Sequence, residues 1–187
     1  MSNDQLGQSI LEVVVAATVG ILVVAALVFA TLFSLRDANF AKASAQATKL
    51  AQEGMEMVRT SRDRDGRIGN LTGTANCPVS GNPVCSWNGD ASCSSIWSCQ
   101  LYNSYGSGGN AYFRFNSSAS VNLDYLTTRS DMPSSAEDLL NGKFKRVIIL
   151  SDDSTSYATQ KTITVIVQWS DTTGIHESRL ITILRKL

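Results

Sequence analysis

The sequence predicts an α+β fold in which a long N-terminal helix packs its second half on a C-terminal antiparallel β-sheet. Two patterns support this prediction. An uncharged apolar run from Val13 to Leu35 continues into residues with helical periodicity, and the last third of the chain alternates apolar and polar residues between turn signals. A chain of 187 residues suffices for one globular domain with an appendage, so one hydrophobic core is expected.

The apolar run is long enough to cross a membrane. It is bounded by Glu12 and Arg36, and as a helix it would measure about 34 Å, slightly more than the ~30 Å hydrocarbon core of a bilayer. A cleaved secretory signal fits less well, because its apolar region is typically about 7 to 15 residues long and follows a basic start. The leader here, residues 1–7, contains no Lys or Arg. A plain signal anchor is the other alternative.

Helical periodicity continues over residues 36–62, where no Pro occurs. Apolar or small residues recur there at spacings of three and four: Phe40, Ala43, Ala47, Leu50, Gly54 and Met57. Charged residues occupy the other faces, so this part is an amphipathic continuation of the membrane-spanning part, residues 8–35. We expect one helix from Ser9 to about Arg62, in which Gly20 and Gly54 permit close packing. A charged, Gly-containing sequence then ends the helix, and residues 63–187 form the globular domain.

The C-terminal third predicts a β-meander over residues 145–184. Three stretches are rich in β-branched residues and are separated by turn signals. They are Lys145–Leu150, Lys161–Trp169 and Ser178–Leu184. Ala111–Phe115 predicts an earlier strand. The apolar face of such a sheet requires a cover, and the helix over residues 36–62 is the only large amphipathic element available for it.

Four cysteines fall in a polar, Gly- and Ser-rich loop, residues 77–99. They are Cys77, Cys85, Cys93 and Cys99. An even number of cysteines in a segment with little apolar material favours two disulfides, with three possible pairings. Zinc is the alternative, although the spacing lacks a C-x-x-C pair. Disulfides would indicate an oxidising compartment and so place the loop outside the cytoplasm.

Composition and motifs argue against several functional classes. The formal net charge is zero and no extended basic cluster occurs, so no nucleic-acid partner is expected. No nucleophile motif, phosphate-binding loop or paired metal ligands are visible, so we expect no enzyme, no catalytic residues, no cofactor and no metal. We interpret His176, the single histidine, as a turn residue. Asp152, Asp153 and Asp171 also lie in predicted turns, with a calcium site as the less favoured alternative.

The junction between the leader and the apolar run has an informative order of residues. It reads Leu6-Gly7-Gln8-Ser9-Ile10-Leu11-Glu12-Val13. A short polar leader thus ends in glycine, and one acidic residue follows inside the start of the apolar run. In this order the N-terminal third resembles the type IV pilin and pseudopilin family. Residues 51–59 are similar to the corresponding stretch of PilV-type minor pilins.

This resemblance implies a pilin-like fold and a structural rather than enzymatic role. It implies that a prepilin peptidase cuts between Gly7 and Gln8 and methylates the new N-terminal amine. Glu12 would then be the fifth mature residue, and its carboxylate would meet the amine of a neighbouring subunit. The implied partners are other pilin subunits, the peptidase, the inner-membrane assembly platform and, before assembly, membrane lipid. The resemblance favours a minor pilin that primes or decorates a filament. A type II secretion pseudopilin and a signal-anchored surface binding protein are the alternatives.

Two features at the junction differ from the family pattern. Gln8 replaces the usual apolar residue after the cleavage point, and the leader carries Asp4 in place of a basic residue.

The charges beside the apolar run bear on membrane topology. Arg36, Lys42 and Lys49 follow the run, and the positive-inside rule would place them in the cytoplasm. That rule applies to short loops, however, and long domains translocate largely regardless of charge. We therefore expect a single-pass protein with its globular domain outside the cytoplasm, and later an extracellular or periplasmic filament.

Overall fold

The computed structural model describes residues 4–65, 110–116, 122–126 and 131–186. It contains one helix and six strands: α1 (Asp4–Asp65), β1 (Asn110–Asn116), β2 (Asn122–Leu126), β3 (Glu137–Leu139), β4 (Phe144–Ser151), β5 (Gln160–Asp171) and β6 (Gly174–Arg185). The chain divides into two compact units, Met1–Ala43 and Ser44–Leu187.

In the first unit, the described residues form the N-terminal part of α1. The helix begins at Asp4 rather than at the predicted Ser9. Aspartate is a favoured residue at helix N-termini, and the sequence between these two positions contains no Pro, so nothing in it opposes an earlier start. At the other end, α1 ends at Asp65, close to the predicted Arg62.

The second unit contains a six-stranded antiparallel sheet in the order β2-β1-β4-β5-β6. β1 and β3 share one edge of β4, because β1 pairs with its end at Ile148–Ser151 and β3 pairs with its start at Phe144–Arg146. The predicted meander is confirmed as β4, β5 and β6. The earlier strand is confirmed as β1. Two short strands, β2 and β3, were not predicted.

The part of α1 after Ser44 covers one face of this sheet. Its buried stripe consists of Ala47, Ala51, Gly54, Met55, Val58 and Ser61. The stripe is rotated slightly from the predicted one, since Leu50 and Met57 are only half-buried at its flank. Small residues at the centre of the stripe allow the helix to lie close to the strands, and the larger side chains are displaced to the side.

Buried apolar residues lie on both faces of the sheet. Facing the helix are Phe144, Ile148, Leu150, Ile163, Val165, Val167 and Trp169, all buried. On the opposite face, a second cluster consists of Tyr112, Leu126, Val147, Ile149 and Ile166, with Met132 packed against it. The four consecutive residues Val147–Leu150 are all buried, as expected for a central strand covered on both sides.

Candidate functional site

The predicted anchoring and assembly site is the apolar helix segment, which we define as Ile10–Leu35 of α1. Four consecutive residues cover about one helical turn, and over Ile21–Val24 their exposures are 68, 69, 53 and 61%. Large apolar side chains are therefore exposed around the whole helix. The helix is long and apolar enough to cross a membrane. A core helix of a soluble domain buries one stripe instead, and a continuous exposed apolar surface of this kind marks contact with lipid or with other proteins.

Glu12 is the only ionisable residue of the apolar helix segment. The two threonine hydroxyls of the segment are satisfied within the helix: Thr18 Oγ1 donates to the carbonyl of Val14 at 2.9 Å, and Thr31 Oγ1 donates to the carbonyl of Val28 at 2.8 Å. Glu12 is exposed. A carboxylate in an apolar environment is costly unless it is neutralised or paired, so Glu12 is the ionisable side chain of the segment that requires a polar partner.

The predicted processing residues, Gly7 and Gln8, lie in the first turns of α1. Gln8 and Glu12 are four residues apart and therefore lie on one side of the helix, about 6 Å apart along its axis. Cleavage between Gly7 and Gln8 would make Gln8 the first residue of the helix and leave the N–H groups of the first turn without helical acceptors. The positive end of the helix dipole would then coincide with the new ammonium group, one turn from the carboxylate.

The predicted disulfide residues, Cys77, Cys85, Cys93 and Cys99, lie outside the described residues, as does the rest of the loop 77–99. The two disulfides remain a prediction. The placement of the globular domain outside the cytoplasm, which follows from them, remains a prediction as well.

In the second unit, Arg146 is a buried charged residue that the sequence analysis did not identify. It is 1% exposed. Its Nε and Nη2 donate to the two carboxylate oxygens of Glu137 at 2.9 and 3.0 Å, and its Nη1 donates to the carbonyl of Leu50 at 3.0 Å. The guanidinium also lies 5.0 Å from the ring centroid of Phe115. Arg146 thus has a paired charge and ties β4 to the backbone of α1.

Gly54 gives Arg146 access to the helix backbone. The carbonyl of Leu50 accepts the helical hydrogen bond of the Gly54 N–H, so the guanidinium approaches that carbonyl beside residue 54. A Cβ on Gly54 would lie 3.1 Å from Arg146 Cδ and 3.1 Å from Val165 Cγ1. Ordinary carbon contacts are about 3.5 to 4.0 Å. The predicted close packing at Gly54 is therefore confirmed, and its partners are Arg146 and Val165. A Cβ on Gly20 would meet no described atom within 4 Å, so close packing there stays a prediction.

A second buried ion pair joins Lys161 and Asp152, whose side chains are both fully buried. The Lys161 ammonium also lies 5.7 Å from the ring centroid of Tyr157. Asp152 is therefore the counter-ion of a buried lysine across the β4–β5 connection. Removing either partner of such a pair would leave an uncompensated buried charge.

The other two turn aspartates stabilise their own turns. Asp153 Oδ1 accepts hydrogen bonds from the backbone N–H groups of Thr155 and Ser156 at 2.8 and 2.9 Å, and the Ser156 hydroxyl donates to Oδ2 at 2.6 Å. These bonds, above all that of the Ser156 hydroxyl, lower the pKa of Asp153. The Thr173 hydroxyl lowers the pKa of Asp171 in the same way. Asp153 precedes β5 and Asp171 ends it, so the two carboxylates lie at opposite ends of that strand.

His176 lies at the start of β6, next to the predicted turn. Its Nε2 is 3.0 Å from both Asp171 Oδ1 and Thr173 Oγ1, and its ring centroid is 5.4 Å from that of Trp169. The Asp171 carboxylate and the Thr173 hydroxyl therefore contact the same ring nitrogen of His176. In a catalytic triad the carboxylate contacts one ring nitrogen and the nucleophilic hydroxyl contacts the other. Among the described residues, no group of three or more His, Cys, Asp or Glu is arranged to hold a metal ion.

Comparisons with known proteins yield no relative: no family model, no curated protein and no solved structure matches the chain. A functional assignment therefore depends on the sequence pattern and on the geometry described above.

Proposed function

We propose that this chain is a non-enzymatic structural subunit of a type IV pilus-like filament, clipped between Gly7 and Gln8. The observation that carries the proposal is the apolar helix segment, exposed on all sides, with Glu12 as its one ionisable residue, the fifth residue after the proposed cleavage point. A long N-terminal helix that continues onto an antiparallel sheet is the layout that the resemblance implies, and it supports the same reading.

In this proposal, cleavage creates the polar partner that Glu12 requires. The freed ammonium of Gln8 stands at the positive end of the helix dipole, where a carboxylate is stabilised. In a bundle of apolar helices, the carboxylate of one subunit can meet the ammonium of its neighbour and fix their axial register. Before assembly, lipid surrounds the same apolar surface. Its two threonines make hydrogen bonds within their own helix, so they suit either environment.

The role within the filament is that of a minor pilin, which primes or decorates assembly. The prepilin peptidase and the inner-membrane assembly platform are its processing partners, and other pilin subunits are its structural partners. Before assembly the protein is a single-pass membrane protein whose globular domain lies outside the cytoplasm, and it then joins an extracellular or periplasmic filament.

Processing is tested by the intact mass of the native protein. The mature chain should begin at Gln8 and carry one added methyl group. Gly7→Val places a β-branched side chain at the scissile bond and should retain the leader, whereas Gly20→Val, the same change in the interior of the segment, should be processed normally. A native chain that keeps residues 1–7, or one that is cut beyond Leu35, would contradict the proposal.

Assembly is tested by Glu12→Ala. Membrane insertion should persist, because apolar residues at roughly −0.3 to −0.6 kcal/mol each favour it and the substitution removes a charge. Filament assembly would leave the Gln8 ammonium as an uncompensated buried charge, which costs about 3 to 5 kcal/mol, or more than about a hundredfold per contact. The measurement is the amount of variant in sheared filaments relative to membranes, in cells that also express the wild-type major pilin.

Asp37→Ala is the matched control, since it removes an exposed carboxylate from the same helix just beyond the apolar helix segment. It should enter filaments like the wild type. If Glu12→Ala enters filaments as readily as Asp37→Ala, the carboxylate does not pair during assembly and the register mechanism is wrong.

A further inference from the structure

β6 forms one edge of the sheet, and half of its backbone groups point away from β5. At its end, the Lys186 N–H donates to the carbonyl of Thr159 at 2.7 Å on the β5 side, and the carbonyl of Arg185 accepts from Arg62 Nη1 at 3.2 Å on the open side. Backbone groups of an antiparallel strand alternate between its two edges. The odd-numbered residues from Ile175 to Arg185 therefore direct their N–H and C=O groups to the open edge. Among the described strands, none pairs with this edge.

The open edge lacks most of the features that keep edge strands from pairing. β6 is 12 residues long, contains no Pro and pairs with β5 in one unbroken register without a bulge. Three isoleucines on its outer face are exposed, Ile175 by 72%, Ile181 by 64% and Ile183 by 56%. Long, regular edges with exposed apolar residues are templates for another strand.

An open groove of about 460 Å³ lies beside this edge, between α1 and β6. Met55 and Arg59 line it on the helix, and Leu180 and Thr182 line it on the strand. A strand added to β6 would cover the mouth of the groove and place alternate side chains above it.

The charges along β6 favour a second copy of this chain as the occupant. We propose that β6 pairs with β6 of the second copy, antiparallel, about a two-fold axis at Ser178. In this register Glu177 faces Arg179 of the second copy, and the same contact recurs by symmetry. Ile175 likewise faces Ile181 of the second copy, twice. Opposite charges and apolar residues in directly facing positions are the pairs that stabilise antiparallel strands.

Neighbouring registers lose this complementarity. If the two-fold axis passed through residue 179, Arg179 would face Arg179 of the second copy. If it passed through residue 177, Glu177 would face Glu177 of the second copy. Like charges in facing positions destabilise strand pairing. Within the chain, Arg179 Nη2 donates to Asp131 at 3.0 Å and Arg179 Nε lies 3.4 Å from Glu177 Oε1. A guanidinium has five N–H donors, so those on Nη1 are left for Glu177 of the second copy. The paired stretch, residues 174–182, stops short of Arg185, whose carbonyl already accepts from Arg62.

The dimer formed through β6 of two copies differs in kind from a filament contact. Thr48 Oγ1 lies 3.2 Å from Ser178 Oγ, and Arg62 bonds the carbonyl of Arg185, so α1 after Ser44 runs in the same direction as β6. In the pair these parts of the two helices are antiparallel. A two-fold contact uses the same surface on both copies and closes on itself, whereas filament growth uses two different surfaces. The β6 pair would therefore link subunits side to side, and it goes beyond the filament proposal without depending on it.

The test is sedimentation equilibrium of the full chain in density-matched detergent. The wild type should dimerise, and Glu177→Arg should weaken the dimer by at least about tenfold because it opposes two pairs of arginines. The double variant Glu177→Arg/Arg179→Glu exchanges the charges and should restore the dimer. Ile181→Arg should also weaken it, whereas Ile183→Arg, at another exposed isoleucine that lies beyond the paired stretch, should not.

Three results would overturn the proposal: a monomeric wild type, a dimer that Glu177→Arg leaves unchanged, or an Ile183→Arg variant as damaged as Ile181→Arg. Failure of the double variant to restore the dimer, with its circular-dichroism spectrum unchanged, would overturn the register. Glu12→Ala should dimerise like the wild type. The outcome for β6 is therefore independent of the outcome for filament assembly.

Discussion

Replacing Gly54 with alanine sets two effects of opposite sign against each other. Alanine is the better helix former by about 1 kcal/mol. Its Cβ, however, would lie 3.1 Å from Arg146 Cδ and 3.1 Å from Val165 Cγ1. Val165 is fully buried and β-branched, so its rotamer is restricted, and Arg146 is held by bonds to Glu137 and Leu50. An extra methyl group in a well-packed core costs about 1 to 3 kcal/mol. The net result should be a loss of about 1 kcal/mol in the free energy of unfolding.

The measurement is thermal unfolding of the full chain in detergent, followed by near-ultraviolet circular dichroism. For a chain of this size, 1 kcal/mol corresponds to about 2 to 4 °C in Tm. Glu53→Ala, an exposed neighbour on the same helix, is the control and should change stability by less than about 0.5 kcal/mol. In a Val165→Ala background, Gly54→Ala should cost less than in the wild type, because one of its two close contacts is gone. A Gly54→Ala protein as stable as the wild type, or more stable, would refute the close approach of helix and sheet.

Three further predictions concern the buried ion pair of Glu137 and Arg146, the cysteine loop 77–99 and the turn that Asp153 stabilises. Glu137→Gln should lower the free energy of unfolding by about 3 to 5 kcal/mol in urea titrations, because it leaves the Arg146 charge buried without a counter-ion; a loss below about 1 kcal/mol would contradict this. Non-reducing peptide mapping should find two intramolecular disulfides within residues 77–99, and free thiols or stoichiometric zinc would exclude them. The pKa of Asp153 is lowered from its ordinary 3.8, so its stabilising effect should be present above that pH and lost as the pH falls through the lowered value. Asp153→Asn should remove that part of the acid dependence of unfolding, and an unchanged profile would contradict the assignment.

The sequence patterns predicted the large elements because those elements have long, strong periodicities. One helix and four strands were predicted from runs of apolar spacing. β2 and β3 have only 5 and 3 residues, too few to show a period of two. The exact face of α1 was also missed, because the buried Ala51 and Val58 are the chain neighbours of the predicted Leu50 and Met57, and both choices give spacings of three and four.

The buried charges were missed for a different reason. Arg146 has the same strand parity as Phe144 and Ile148, and Lys161 has the same parity as Ile163, so alternation alone places both inward. Residue type predicts an exposed position instead, because Lys and Arg are almost never fully buried unless they are paired. Their counter-ions, Glu137 and Asp152, lie nine residues away in the chain, and only the register of the strands brings each pair together. For Glu12 the sequence provided the whole signal, and its role stays a prediction because the proposed partner belongs to another subunit.

The two parts of α1 differ in what they require from their surroundings. From Ala47 to Val58 the buried positions are filled mostly by small residues, and the groups they contact are strands of this same chain, with Arg146 and Val165 among them. From Ile10 to Leu35 the residues are mostly large and apolar and are exposed on every side. A sequence selected only for folding would gain nothing from so much exposed apolar surface, which costs free energy in water. The segment is long and apolar enough to cross a membrane, and in the filament that we propose, Glu12 is the position at which a polar partner would select one neighbouring helix over another.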